Sequence, residues 1–134
     1  MSKTARAWRR SLGGMSTISP IIPYRDLPAA IDFLCDAFGF ERHELHRDER
    51  GELQHVELRL GDDVVMPTDA RLGEPGHAQT YVVVDDADAH HGRAKGAGAE
   101  ISTELRDTDY GSRDYAAKDL EGNVWYFGTY RPLS

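Results

Sequence analysis

The sequence predicts an α+β fold built from two βαβββ modules in tandem. Three observations lead there: a repeat at an offset of 60 residues, one helix-like segment early in each repeat, and three short strand-like runs after each helix. The shift brings Asp26 onto Asp86, Ala29 onto Ala89, Ala37 onto Ala97, and Glu44-Leu45 onto Glu104-Leu105. Gly51 then meets Gly111, Leu60 meets Leu120, and Val64 meets Val124. The identities are few. The matching order of element types gives the repeat its weight.

Each module opens on an apolar strand, "ISPIIPY" at 18–24 and "AQTYVVV" at 78–84. Asp26 or Asp86 follows, suited to cap a helix through its side-chain oxygen. The first helix, 27–38, sets Leu27, Ile31, Leu34, Cys35 and Phe38 on one stripe, and Gly39 stops it. The second, 87–97, is weakened by Gly92 and Gly96. Strands are expected at 41–47, 53–60 and 63–67, then at 100–106, 112–118 and 123–129. Gly51, "GDD", Gly111 and "EGN" supply the turns between them. The modules run over 17–72 and 77–131, behind a leader at 1–16. One helix covers only one face of a four-stranded sheet, so two sheets side by side would curl into a trough lined by their open faces.

The single cysteine, Cys35, cannot form an internal disulfide, which fits a reducing cytoplasm, and its place on the apolar stripe makes it core. A net charge of −7 argues against nucleic acid as a partner. No apolar run reaches the roughly 20 residues of a membrane span, so no membrane partner is expected. The leader carries Lys3, Arg6, Arg9 and Arg10 without an acid. It reads either as a basic arm without a catalytic role or as sequence upstream of a start at Met15.

The stretches "YGSRDYAAKDLEGNVWYFGTY" and "IPYRDLPAAIDFLCDAFGFE" resemble the vicinal oxygen chelate superfamily of glyoxalases, bleomycin-resistance proteins and extradiol dioxygenases. "LQHVELRLGDDVVM" resembles its PhnB-like and antibiotic-resistance-like branch. The resemblance covers 17–130 and implies a homodimer. It also implies, for the enzymes of the superfamily, one divalent metal held from the first and fourth strands of each module. Those positions fall on Ser19, Met66, Gln79 and Tyr126. A serine, a thioether, an amide and a phenol do not suit a divalent ion, so no metal and no other cofactor is expected. A divalent metal is the alternative, with His77 the residue that a shifted register would bring in.

Strand alternation then lists the lining of the trough. Ser19 and Gln79 bring Ile21, Pro23, Tyr81 and Val83; Met66 and Tyr126 bring Val64, Val124 and Gly128. Trp125 and Phe127 point to the helix side. Val56, Leu58 and Leu60 do the same, which leaves His55, Glu57 and Arg59 on the open face. The repeat puts Tyr115, Ala117 and Asp119 beside them. The expected ligand-binding set is Ser19, Ile21, His55, Glu57, Met66, Gln79, Tyr81, Tyr115 and Tyr126, mostly apolar and aromatic with a few polar groups. His55 and Glu57 share a face and form the acid/base pair of the enzyme reading; a structural charge pair is the plainer one. His90-His91 reads as a solvated helix face, His43 and His46 as an exposed edge, and "DYGS" at 109–112 as a lip over the cavity.

Three functions follow. A metal-free protein could bind an aromatic or apolar small molecule, such as an antibiotic, between tyrosine faces. A glyoxalase-, isomerase- or dioxygenase-like enzyme could use a metal or His55 and Glu57. An interaction module has no residue that speaks for it.

Overall fold

The computed structural model describes residues 18–133, so the leader expected at 1–16 lies outside the described residues. The elements are β1 (Ile21–Tyr24), α1 (Leu27–Phe38), β2 (Glu41–Arg47), β3 (Leu53–Leu60) and β4 (Asp63–Asp69). After a short 3-10 turn at Ala70–Leu72 come β5 (Gln79–Val83), α2 (Ala87–Gly96), β6 (Glu100–Asp107), β7 (Arg113–Lys118) and β8 (Val124–Gly128). Two four-stranded sheets result, ordered β1-β4-β3-β2 and β5-β8-β7-β6. No helix among the described residues is long and apolar enough to cross a membrane.

Local chemistry sets the helix ends. Asp26 accepts from the Ala29 amide at 3.1 Å and Asp86 from the Ala89 amide at 3.0 Å. Gly39 ends α1 at φ 86°, the left-handed conformation that glycine adopts without a Cβ clash. Unlike α1, α2 buries only Ala87 and Ala94, so apolar packing alone does not seat it. Polar side chains on α2 dock it instead onto the carbonyls at the C-terminal end of α1. Arg93 donates to the Asp36 and Cys35 carbonyls at 3.1 Å each, and His90 Nε2 to the Phe38 carbonyl at 2.8 Å.

One core serves both modules. Ile22, Tyr24, Val56, Leu58 and Val65 of the first sheet join Tyr115, Ala117, Trp125 and Phe127 of the second, together with the buried side chains of α1. Phe38 packs on Trp125 and Phe127 with ring centres 5.8 and 4.8 Å apart, and Phe40 meets the edge of Trp125 at 5.5 Å. Both sheets therefore give their helix-side residues to the same interior.

The strongest cross-link between modules is the carboxylate of Asp119, only 7% exposed. It accepts from the Tyr24 hydroxyl at 2.6 Å, Asn123 Nδ2 and Trp125 Nε1 at 3.0 Å each, and the amides of Glu121 and Asn123 at 3.0 and 3.1 Å. Burial, with Asp119 beside it, pushes the Tyr24 phenol far above its ordinary range. The same turn sends Glu121 back to the first module, where its carboxylate accepts from the Arg25 and Asp26 amides at 2.7 and 2.8 Å. Gly76 fits against that turn because a Cβ there would stand 2.7 Å from the Glu121 carbonyl.

Three expectations are corrected here. Tyr115, Ala117 and Asp119 belong to the helix side, not to the open face. Ala117 pairs with Trp125 and Leu58 with Val65, so the fourth strands are offset by 60 residues and the third strands by only 59. The turn at 119–123 takes up the difference. A one-residue slip moves every side chain of a strand to the other face. The repeat mate of Tyr115 is thus Val56, and those of His55 and Glu57 are Asp114 and Ala116. His90 and His91 are not a solvated face either. His90 Nδ1 accepts from the buried Tyr115 hydroxyl at 2.5 Å, while His91, with a side chain 13% exposed, meets Glu104 at 3.0 Å.

Asp119→Ala should lower unfolding free energy by on the order of 3 kcal/mol, and Tyr24→Phe by about 1.5 kcal/mol, in urea denaturation. Burial holds the His90 imidazole below its ordinary pKa, so the unfolded chain takes up the proton first. Its contribution is full above about pH 6.5 and is lost as pH falls below that value. Denaturation at a series of pH values should show this loss, and His90→Gln should flatten it.

Candidate functional site

The open face of the first sheet carries Ile21, Met66, His55 and Glu57. Ile21 is opposite Met66, Arg59 opposite Val64, and the β2–β3 register sets Glu44 against Glu57 and His46 against His55. Ser19 lies two residues before Ile21, on the same side by alternation. Glu44 and Glu57 are like charges directly opposite each other, a pairing that costs stability unless something offsets it. Each carboxylate takes an imidazole: His46 Nε2 is 2.8 Å from Glu44, and His55 Nε2 is 2.7 Å from Glu57. His43 stands 4.0 Å from the other Glu57 oxygen. His43 and His46 are exposed as expected, yet they share this face with His55. Sequence reasoning missed that grouping because the bulge between Arg42 and Glu44 hides it from simple alternation.

The open face of the second sheet is aromatic. Tyr81 pairs with Tyr126 and Tyr126 with Ala116; Gln79 pairs with Val124, and Val83 with Gly128. Tyr126 is 39% exposed and Tyr81 38%, large values for rings on a strand. The Tyr126 hydroxyl donates to Gln79 Oε1 at 3.0 Å, and the Tyr81 hydroxyl to the Tyr130 carbonyl at 2.7 Å. Partial burial raises the Tyr81 phenol above its ordinary pKa, so it stays a donor. Two further tyrosines stand at the rim: Tyr110 meets Tyr130 edge to face, ring centres 5.5 Å apart. The lip at 109–112 is a tight turn closed by the Thr108 amide on the Ser112 carbonyl at 2.8 Å. Neither Tyr110 nor Tyr130 lies in a strand, so strand alternation could not reach them.

A groove of about 850 Å³ runs along the unpaired edge of β5, between it and the β3–β4 turn. It is lined by Pro20, Phe40, Leu60, Val64 and Val82 among others, and reaches the tyrosine face through Tyr81 and Val83. His77 is not brought to the open faces by any strand; it precedes β5. Among the described residues no group of three or more His, Cys, Asp or Glu side chains could hold a metal ion. Of the four positions at which related enzymes would hold a metal, Ser19 and Met66 sit on one open face and Gln79 and Tyr126 on the other. They bring no carboxylate, imidazole or thiolate, and the one amide oxygen among them already accepts from a phenol. This donor set does not fit a divalent ion.

Two four-stranded sheets of identical topology around one core define a tandem βαβββ protein. The chain belongs to the glyoxalase/bleomycin resistance protein/dioxygenase superfamily, whose family model matches residues 16–127. It is 34% identical over 125 residues to an uncharacterized protein of Mycobacterium bovis, covering 83% of this chain and 81% of that one. Among solved structures it is similar to TioX from Micromonospora sp. ML1, at 31% identity and a TM-score of 0.77, covering 85% and 98% of the two chains. TnmS3, an antibiotic binding protein from Streptomyces sp. CB03234, shares the fold at 21% identity and a TM-score of 0.69, covering 84% of this chain and 97% of that one. Lactoylglutathione lyase from Agrobacterium tumefaciens shares it at 22% and 0.66, covering 85% and 93%.

Exposed polar contacts contribute little to stability, so Tyr126→Phe and Gln79→Ala should each change unfolding free energy by less than about 0.5 kcal/mol. A thermal melt of the two variants checks this.

Proposed function

We propose that this chain is a metal-free small-molecule-binding protein that takes an apolar or aromatic compound, such as an antibiotic, against its open sheet faces. The observation that carries the reading is the Tyr126 hydroxyl bonded to Gln79 where related enzymes keep a metal-binding carboxylate, with a half-exposed Tyr81 beside it. Flat phenol rings held by hydrogen bonds bury a planar ligand at small entropic cost. A neighbour of the same fold, TnmS3, is described as an antibiotic binding protein, which supports the ligand class. A second copy would enclose the ligand by setting the first sheet of one protomer against the second sheet of its partner. A homodimer in the cytoplasm is the assembly this reading implies.

A second reading rests on the 2.7 Å contact between His55 and Glu57. A carboxylate at that distance orients an imidazole for proton transfer, as a glyoxalase-, isomerase- or dioxygenase-like enzyme would need.

Metal analysis of the purified protein should find only substoichiometric metal. Stoichiometric zinc, iron, nickel or manganese that disappears in Gln79→Ala would overturn the metal-free reading. A melt in the presence of aromatic antibiotics should then show stabilisation, about 2.7 kcal/mol at a hundredfold excess over Kd. Tyr126→Ala should reduce that gain. Absence of a shift with every aromatic compound would count against binding.

A further inference from the structure

Gly128 is the place where the tyrosine face departs from ordinary strand packing. A Cβ built on it would stand 2.7 Å from the Tyr81 hydroxyl oxygen, 3.1 Å from Tyr81 Cε1 and 3.0 Å from Asp114 Cβ. Its φ is not left-handed, so the backbone itself would accept alanine; what excludes a side chain is the space that Tyr81 fills. Tyr81 pairs with Tyr126, and Gly128 is two residues further along the same neighbouring strand. The tip of the Tyr81 side chain thus lies at the height of a Cβ on β8. A phenol oxygen sits well beyond its own Cβ, so the ring must lie down along the sheet instead of standing off it.

Two contacts hold it there. Its hydroxyl donates to the Tyr130 carbonyl at 2.7 Å, and the Tyr130 amide in turn donates to Ser112 Oγ at 3.2 Å, with Ser112 buried. Val83 and Gly128 face each other beyond the ring and Ala116 is opposite Tyr126, while Asp114, opposite Gly128, is buried and pairs with Arg106 at 2.9 Å. A recumbent ring beside Tyr126 makes a shelf.

We propose that Tyr81, laid over Gly128, is a stacking platform that makes this site selective for planar fused-ring aromatic ligands over puckered ones of the same size. Gly128 and Tyr130 are positioning residues for that ring. The inference rests on the small-molecule-binding reading and names its ligand class. Offset stacking depends on parallel flat surfaces at van der Waals distance, and a bent tricycle touches the shelf with only one of its rings.

The test compares anthracene carboxylate with dihydroanthracene carboxylate, which bends at its saturated middle ring, by calorimetry on the full chain. Wild-type protein should bind the planar probe about tenfold more tightly. Gly128→Ala should lift the ring and erase the preference. Tyr81→Leu, which keeps an apolar side chain at a half-exposed position, should erase it as well and guards against a folding defect in the glycine variant. In the unliganded protein, NMR should show a cross-peak between the Tyr81 ε protons and the Gly128 α protons. Equal binding of the two probes, a preference that survives in Tyr81→Leu, or a missing cross-peak overturns the platform and leaves the binding reading standing. If neither probe binds wild-type protein while other aromatic compounds do, the platform alone falls; if no aromatic compound binds, the binding reading falls with it.

Discussion

The carboxylate of Asp119 gathers five donors behind the second sheet, and one of them, the Tyr24 hydroxyl, comes from the first module. A buried anion is tolerated only where donors surround it, so each of these groups is fixed in place by the others. Tyr24 ends β1, Asn123 starts the approach to β8, and Trp125 anchors β8 to the core. The position of both sheets relative to one another follows. Glu121, from the same turn, caps the entry to α1 and repeats the link on the outside. The motif that marks the chain as a superfamily member is thus, in this molecule, the joint between its halves.

That joint has a consequence for the candidate site. With one core behind both sheets, the two open faces differ in chemistry. The first is polar, with Glu44 and Glu57 opposed and each relieved by an imidazole. The second is aromatic, with Tyr81 and Tyr126 tied down by their hydroxyls. A ligand enclosed between copies of such faces would meet hydrogen-bonding groups on one side and flat rings on the other. The pattern suits an aromatic body carrying polar substituents.

Much of this was legible in the chain. Asp26 and Gly39 bracket α1 at the residues expected, the eight strands lie where turn residues and apolar runs place them, and Trp125 and Phe127 face the core. Of the expected ligand-binding set, Ser19, Ile21, His55, Glu57 and Met66 share one open face, and Gln79, Tyr81 and Tyr126 share the other. Tyr115 does not belong, because the repeat offset of 60 falls to 59 across β7 and is made up in the turn at 119–123. The burial of His90 is not visible in the sequence, because an imidazole near acids looks solvated until its partners, Phe38 and Tyr115, are seen to lie across from it.

The sequence by itself determined the elements, their order and the period-two alternation, since these depend on neighbours along the chain: caps, turn glycines and apolar spacing. Only the tertiary structure decided which face β7 presents, that α2 is seated by Arg93 and His90 more than by apolar packing, and that Tyr81 lies down over Gly128. Each of those depends on a partner far away in the chain: β8 for the register, the end of α1 for the helix, the Tyr130 carbonyl for the ring. A contact of that kind leaves no period or spacing to be read.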